Sequence, residues 1–288
     1  MSATTVSELP VTTRRRKRPI GRWIGLTALF LVALFPIYWI VVSSVTPGGK
    51  LLTAPPRYLP TEFTFDNFVR LFTQYPVGKA MANSLIISIT STVVSVAISY
   101  LAAYAFARYS FPGSKLLLGL LLLSSSLPQI ATVIPLFDVF GDLDLVDSLT
   151  GLNILITSAI TPFTVWILTT FIRRVPVEVE EAAKIDGASM IGVIFRITLP
   201  LTMPAVATML VINFIHCWNE LFYPLIFAQS ADSQPLALGL LNLSASVANA
   251  GKPWDLISAL TVIMIAPIIC VVIAFEPFIT KGLAATDK

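Results

Sequence analysis

Asn213, His216 and Glu220 are spaced i, i+3, i+7 within the apolar run "NFIHCWNELFYPL". On a helix that spacing puts them on one face, with Tyr223 next on it and Asn219 beside Glu220. An ionisable group inside a membrane-length run is a functional candidate by default. Two chemistries fit the stripe. It offers both donors and acceptors to a solute's hydroxyls, or Glu220 and His216 relay a proton. A structural reading stands beside them: Glu220 and its neighbours satisfy backbone groups freed near Pro224, or lie at the outer interface. His216 is the only histidine, which excludes a multi-histidine metal centre. Cys217 and Cys270 have no ligand-type spacing and read as small apolar side chains. Neither G-x-S-x-G nor H-E-x-x-H occurs. No catalytic residue, cofactor or metal is expected.

The second place where charge collects is "EVEEAAKIDGASMIGVIFRITLP", Glu178 to Pro200. Pro176 suits the first position of a helix. Glu178 and Glu180 follow where the helix dipole favours acids, and Glu180 pairs with Lys184 at i,i+4. Val175, Val179, Ala182 and Ala183 form a narrow apolar stripe. Gly187 is a natural stop. Ser189 caps a second short helix carrying Ile191, Ile194, Phe195 and Leu199, and Pro200 ends it. The spacing predicts helix, glycine turn, helix. Taken alone, such a segment reads first as a solvated amphipathic loop on lipid headgroups.

The elements that must hold these residues are read from composition. The chain has 288 residues, 12% charged and 56% hydrophobic, with mean hydropathy +0.83. A soluble core of that composition would expose large apolar patches, so an all-α integral membrane protein is expected. Runs of about 20 apolar residues mark spanning helices. Six are found, at about 23–44, 83–107, 116–137, 149–172, 201–227 and 256–280. The first is too long for a signal-peptide core and lacks an A-x-A pattern after it, so it reads as a retained helix. Residues 1–22 form a basic tail, 23–283 a transmembrane unit, and 284–288 a second tail. With the N-terminus inside, fourteen of the nineteen Lys and Arg fall on the cytoplasmic side, and the four-aspartate loop "DVFGDLDLVDS" falls outside. Both termini are then cytoplasmic, and 173–200 is a cytoplasmic loop between the fourth and fifth spans. The basic surplus is concentrated in "RRRKR", Arg14 to Arg18, which is not a nucleic-acid face.

"EAAKIDGASMIGVIFRITLP" resembles the EAA motif of ABC-importer permeases of the carbohydrate-uptake, maltose-type family. Glu181, Ala182, Ala183, Gly187, Ile197, Leu199 and Pro200 match it, and Asp186, Ala188 and Phe195 match its carbohydrate branch. Trp218, Asn219 and Glu220 are similar to another feature of that branch. The resemblance covers about residues 23–283. It implies six helices with a coupling helix-turn-helix between helices four and five, docking on a separate ABC ATPase dimer through Glu180, Glu181, Ala182, Ala183, Asp186 and Gly187. It also implies a homologous permease as heterodimer partner, an extracytoplasmic solute-binding protein, and a bacterial or archaeal cell membrane. The motor must be a separate chain, since G-x-x-x-x-G-K-[ST] is absent. "FEPFITKGLAATDK" departs from the family's closing pattern at Glu276–Pro277.

Together with the Trp-Asn-Glu resemblance, the polar stripe Asn213, His216, Asn219, Glu220 and Tyr223 reads as part of a sugar pathway. The family resemblance makes "NLSASVANAGKPWD" a loop that reaches the binding protein, through Ser246, Asn249 and Trp254; a plain connection is the alternative. Ser84, Ser88, Ser91, Ser95 and Ser99 near one face mark close packing between helices. Ser124 to Ser126, with Gln129 and Thr132, are a weaker candidate for a cavity wall. Other solutes (glycerol phosphate, a polyol, a peptide) suit the same machinery. A proton-coupled carrier using Glu220 and His216 is disfavoured by the absence of inverted repeats.

Overall fold

The computed structural model describes residues 20–51, 59, 62–245 and 252–286. Every regular element among them is helical. Five helical segments are long and apolar enough to cross a membrane, or up to six if one bent pair counts as a single span. The segments at the centre are α3 (Val77–Arg108), α6 (Leu149–Ile172) and α9 (Leu199–Trp218). The 32 residues of α3 rise about 48 Å, more than the ~30 Å of a hydrocarbon core.

Small hydroxyl residues let α3 and α6 approach closely. Ser84, Ser88, Ser91, Ser95 and Ser99 are all buried. Ser91 Oγ donates to Asn153 Oδ1 at 2.9 Å, Ser95 pairs with Thr161 at 3.0 Å, and Ser99 donates to the Thr161 carbonyl at 3.3 Å. The serine stripe is a packing seam. Further along α3, Tyr100, Ala103 and Tyr104 pack with Leu168, Ile172, Ala205 and Met209 in a core joining α3, α6 and α9. α1 (Ile20–Ser44) and α12 (Trp254–Thr286) lie together at the side of this group. The apolar core window of α1 has no residue buried by the rest of the chain, as a helix facing lipid or another subunit requires.

Several boundaries differ from the hydropathy reading. The third run is not one straight helix. It is α4 (Ser114–Ser125) and α5 (Gln129–Asp142), bent by 93° across Ser126–Pro128. Pro128 lacks an N–H and disfavours helical backbone at Leu127 before it. Ser124, Ser125 and Ser126 turn their hydroxyls back onto the carbonyls of Leu121 and Leu122. The fifth run also breaks: α9 stops at Trp218, and the one-and-a-half-turn α10 (Phe222–Phe227) follows. α11 (Leu236–Ala245) then leads towards α12, which runs past the expected end at 280 to Thr286.

The end of the bundle where α3 begins is tied by polar groups. Asp147, at φ 58° before α6, accepts from the backbone N–H groups of Gln229 and Ser230, both at 2.9 Å, and from the Ser233 hydroxyl. Asn83 Nδ2 of α3 donates to the carbonyls of Asp232 and Gln234 at 2.9 and 3.0 Å, and Lys79 pairs with Asp232. The connection between α10 and α11 is thus fixed from two sides. Nearby, Arg70 of α2 (Asp66–Gln74) meets the buried Asp255 of α12 at 3.2 Å.

Candidate functional site

At the opposite end, where α3 finishes, the charged stretch after α6 folds as a helix pair. α7 (Val177–Ile185) starts directly after Pro176. It ends in a two-bond reversal: Gly187 N–H donates to the Lys184 carbonyl at 3.0 Å, and Ala188 N–H to the Ala183 carbonyl at 2.9 Å. Gly187 has φ +86°, the left-handed backbone this reversal needs and side chains resist. Ser189 caps the next turn, α8 (Met190–Gly192), by accepting from Gly192 N–H at 3.2 Å. A widened π turn, Val193–Thr198, carries the chain into α9 without a break. Pro200 therefore does not end the second helix. It sits in the first turn of α9, where a missing N–H is tolerated.

Only two side chains of α7 are buried, Glu180 and Ala183. Glu180 is 1% exposed. Its carboxylate faces the bundle, not Lys184 as the i,i+4 spacing suggests. Oε1 accepts from Arg108 Nε and Nη2 at 2.9 and 2.8 Å and from the Thr198 hydroxyl at 2.8 Å. Oε2 accepts from the Tyr104 hydroxyl at 2.9 Å. Arg108 Nη2 also reaches the Val175 carbonyl at 3.0 Å. Burial raises the pKa of Glu180, but the bonds from Arg108, Thr198 and Tyr104 and the Arg108 charge outweigh it, so the carboxyl is held below its ordinary value. Its side chain is inside the subunit, which corrects the expectation that Glu180 meets a partner directly. Tyr104, Arg108 and Thr198 were not singled out from sequence. The available signal was the i,i+4 pair of Tyr and Arg closing a long apolar run.

Glu181, Ala182, Asp186 and Gly187 all lie on the outer side of the helix pair, while Ala183 packs inward. The expected stripe is split the same way: Val175 and Ala183 are buried, Val179 and Ala182 are not. Ile185 is 85% exposed, Ile191 70% and Phe195 49%, so this end carries large apolar side chains that the described residues leave uncovered.

The other expected site residues do not form a single open stripe. Asn213 is buried, donating through Nδ2 to the Thr164 hydroxyl of α6 at 2.9 Å. His216 is exposed. α9 ends before Glu220, so Glu220 is off the helix that carries Asn213. Glu220 Oε1 accepts from the backbone N–H groups of Phe222 and Tyr223 at 2.8 and 3.3 Å, capping α10 across the break. Asn219 is exposed and bonds back to the Ile215 carbonyl. Tyr223 is buried in a core with Phe140 and Phe227. The physical reason is the break itself: unpaired N–H groups after Trp218 recruit the carboxylate. Ser246 and Asn249 lie outside the described residues. Trp254 is half exposed at the start of α12, with Lys252 Nζ 5.7 Å from its ring centroid. Among the described residues no cluster of His, Cys, Asp or Glu is arranged to hold a metal.

Residues 95–284 match the family described as binding-protein-dependent transport system inner membrane component. The sulfoquinovosyl glycerol transport system permease SmoH of Agrobacterium fabrum is 31% identical over 92% of each chain. The trehalose transport system permease SugB of Mycobacterium tuberculosis is 31% identical over 91% of this chain and 95% of its own. A bacterial ABC transporter involved in import of the polysaccharide alginate has the same fold, with a TM-score of 0.77 over 90% of this chain and 95% of its own at 22% identity. The family match takes in α3 from Ser95 onward, all of α6 and α9, the helix pair, and α12 as far as Ala284. The chain therefore belongs to the family of binding-protein-dependent transport system inner membrane components, and it is a multi-pass permease subunit of an ABC importer rather than an enzyme.

Proposed function

We propose that this permease serves an importer for a sugar or oligosaccharide. It forms half of the pathway with a homologous permease, takes solute from an extracytoplasmic binding protein, and is driven by an ABC ATPase dimer docked on the α7–α8 helix pair. In this reading α4 and α5 form one broken span, six spans cross the membrane, and both termini are cytoplasmic. The observation that carries it is the helix pair. Glu181 and Gly187 face outward beside uncovered Ile185, Ile191 and Phe195, on a chain with no nucleotide-binding loop of its own. Exposed apolar side chains rimmed by charge mark a partner surface. The sugar assignment is supported by relatives named for sulfoquinovosyl glycerol, trehalose and arabinooligosaccharides. Transport uses alternating access: closure of the ATPase dimer turns the permeases through the docked helices.

Affinity purification of the tagged chain from its host membranes tests the assembly, with recovery of an ATPase and a second permease expected. Recovery of the chain alone would overturn it. The co-encoded binding protein, screened by thermal shift against sugars, polyols, glycerol phosphate and peptides, should be stabilised by a sugar. Stabilisation only by one of the other classes would overturn the solute assignment and keep the assembly.

A further inference from the structure

We propose that Glu180 is a positioning residue of the transport cycle. It locks α7 to the ends of α3 and α9, so that a push on the helix pair moves all three together. The inference rests on the docking reading of that pair.

The attachment of α7 to the bundle is narrow. The helix has nine residues, too few to hold itself in water. Of its side chains only Ala183 and Glu180 are buried. An alanine offers little grip, so the carboxylate carries the connection. Its two oxygens receive four hydrogen bonds, two from the Arg108 guanidinium and one each from Tyr104 and Thr198. Three of the bonds reach Oε1 and one reaches Oε2, so both oxygens are engaged. The donors come from two elements: α3 supplies Tyr104 and Arg108, and the π turn leading into α9 supplies Thr198. The Thr198 hydroxyl, whose single proton goes to Glu180, also lies 3.3 Å from the Val193 carbonyl at the start of the π turn. The carboxylate is therefore tied to the last residue of the widened turn. Displacing α7 alone would strand a buried guanidinium and a buried carboxylate, so α7 moves only with its partners. Both partners are membrane-length: α3 continues to the far end of the bundle, and α9 continues to the break capped by Glu220. The outward acids, including Glu181, have no such internal bonds, which separates contact residues from this tie.

The test uses the intact complex purified through this chain, in lipid nanodiscs, in a Cys217→Ser, Cys270→Ser background. Spin labels at Glu178→Cys and Ser110→Cys report the distance between α7 and the end of α3. With Glu180 present, the distance should be the same in the nucleotide-free state and with ATP plus vanadate. Glu180→Gln keeps the shape but lacks the charge, and its amide NH2 faces a donor. It should retain the ATPase and its basal ATP hydrolysis, broaden the distance distribution, and reduce stimulation of hydrolysis by the binding protein about two- to thirtyfold. A purely structural role would lower the yield of complex without changing that stimulation. If Glu180→Gln does not accumulate, Thr198→Val and Tyr104→Phe each remove one bond and should give partial broadening and partial loss. The proposal is overturned by a nucleotide-dependent α3–α7 distance in the unaltered protein, or by native distance and stimulation in Glu180→Gln or in both single-bond variants. Release of the ATPase by Glu180→Gln would overturn it too. Glu181→Lys is the control: if that variant keeps its ATPase, the docking reading fails, whatever the α3–α7 distances show.

Discussion

Arg108 and Glu180 are 72 positions apart in sequence, yet they form a two-bond ion pair, 2.8 and 2.9 Å, with side chains 9% and 2% exposed. A charge pair this deep repays its desolvation only when every other site is also bonded. Here Tyr104, Thr198 and the Val175 carbonyl add three further bonds to the pair. Removing one partner should therefore cost far more than removing both. Arg108→Met and Glu180→Leu should each lose about 3–5 kcal/mol, and the double variant carrying both should regain much of it. Thermal unfolding of the detergent-purified chain measures this. Losses that simply add would show that the two residues act independently.

Gly187 is the only residue of the helix pair at positive φ, and a Cβ placed there meets nothing within 4 Å. Its requirement is conformational, not steric. Gly187→Asn should be tolerated, whereas Gly187→Val should cost roughly 1–2 kcal/mol through its left-handed backbone. Gly187→Asp adds a charge to the outer face as well. Gly187→Asp and Glu181→Lys should both leave the chain inserted and release the ATPase. Co-purification assays decide this, and normal ATPase recovery in both would contradict docking on this face.

The membrane class and the helix pair were legible because they rest on local signals: long apolar runs, a proline before acids, a glycine after them, a serine cap. Directions were not. Hydropathy over 116–137 is continuous, but it cannot register that Pro128 turns the chain by 93°. Glu178, Glu180 and Glu181 look equivalent in sequence, and only Glu180 points to the bundle, because Arg108 completes its site from α3. Arg108 reads in sequence as one more basic residue at a helix end, and nothing local marks it as the buried partner of Glu180. Asn213 and Glu220 share a face only on one unbroken helix, and the chain breaks after Trp218.

Asp147 makes a pH-dependent fastening at the other end. Hydrogen bonds from the Ser233 hydroxyl and the backbone N–H of Ser230 outweigh its burial and hold the carboxyl at about 2, below the 3.8 of a free aspartate. A lowered folded-state pKa means that the stabilisation is complete above the unfolded value and disappears as pH falls through the folded one. Protection of the Gln229 and Ser230 amides should thus be constant above pH ~5 and weaken from there towards pH ~2. Asp147→Asn should cost about 1 kcal/mol of local stability at neutral pH, as for a charge-assisted bond near the surface. Hydrogen exchange of those two amides is the measurement. A pH profile identical in Asp147→Asn would assign the effect to another group.

Glu220 and Asn213 offer the sharpest test of which polar groups in the fifth segment meet the pathway. Glu220 caps two N–H groups at the start of α10, so its first duty is to the backbone. Glu220→Gln keeps an acceptor oxygen and should lose little, while Glu220→Leu leaves both N–H groups unpaired and should cost about 1 kcal/mol or more. Asn213 is sealed against Thr164, whereas His216 and Asn219 are open. In a Cys217→Ser, Cys270→Ser background, a water-soluble thiol reagent should leave a cysteine at 213 unmodified. If the open pair lines the pathway, the reagent should label cysteines at 216 and 219, and solute held by the complex should slow that labelling. Labelling of 216 and 219 only by lipid-soluble reagents would put this face against hydrocarbon. It would then confine the contribution of Glu220 to the α9–α10 break, where its Oε1 accepts the two backbone N–H groups.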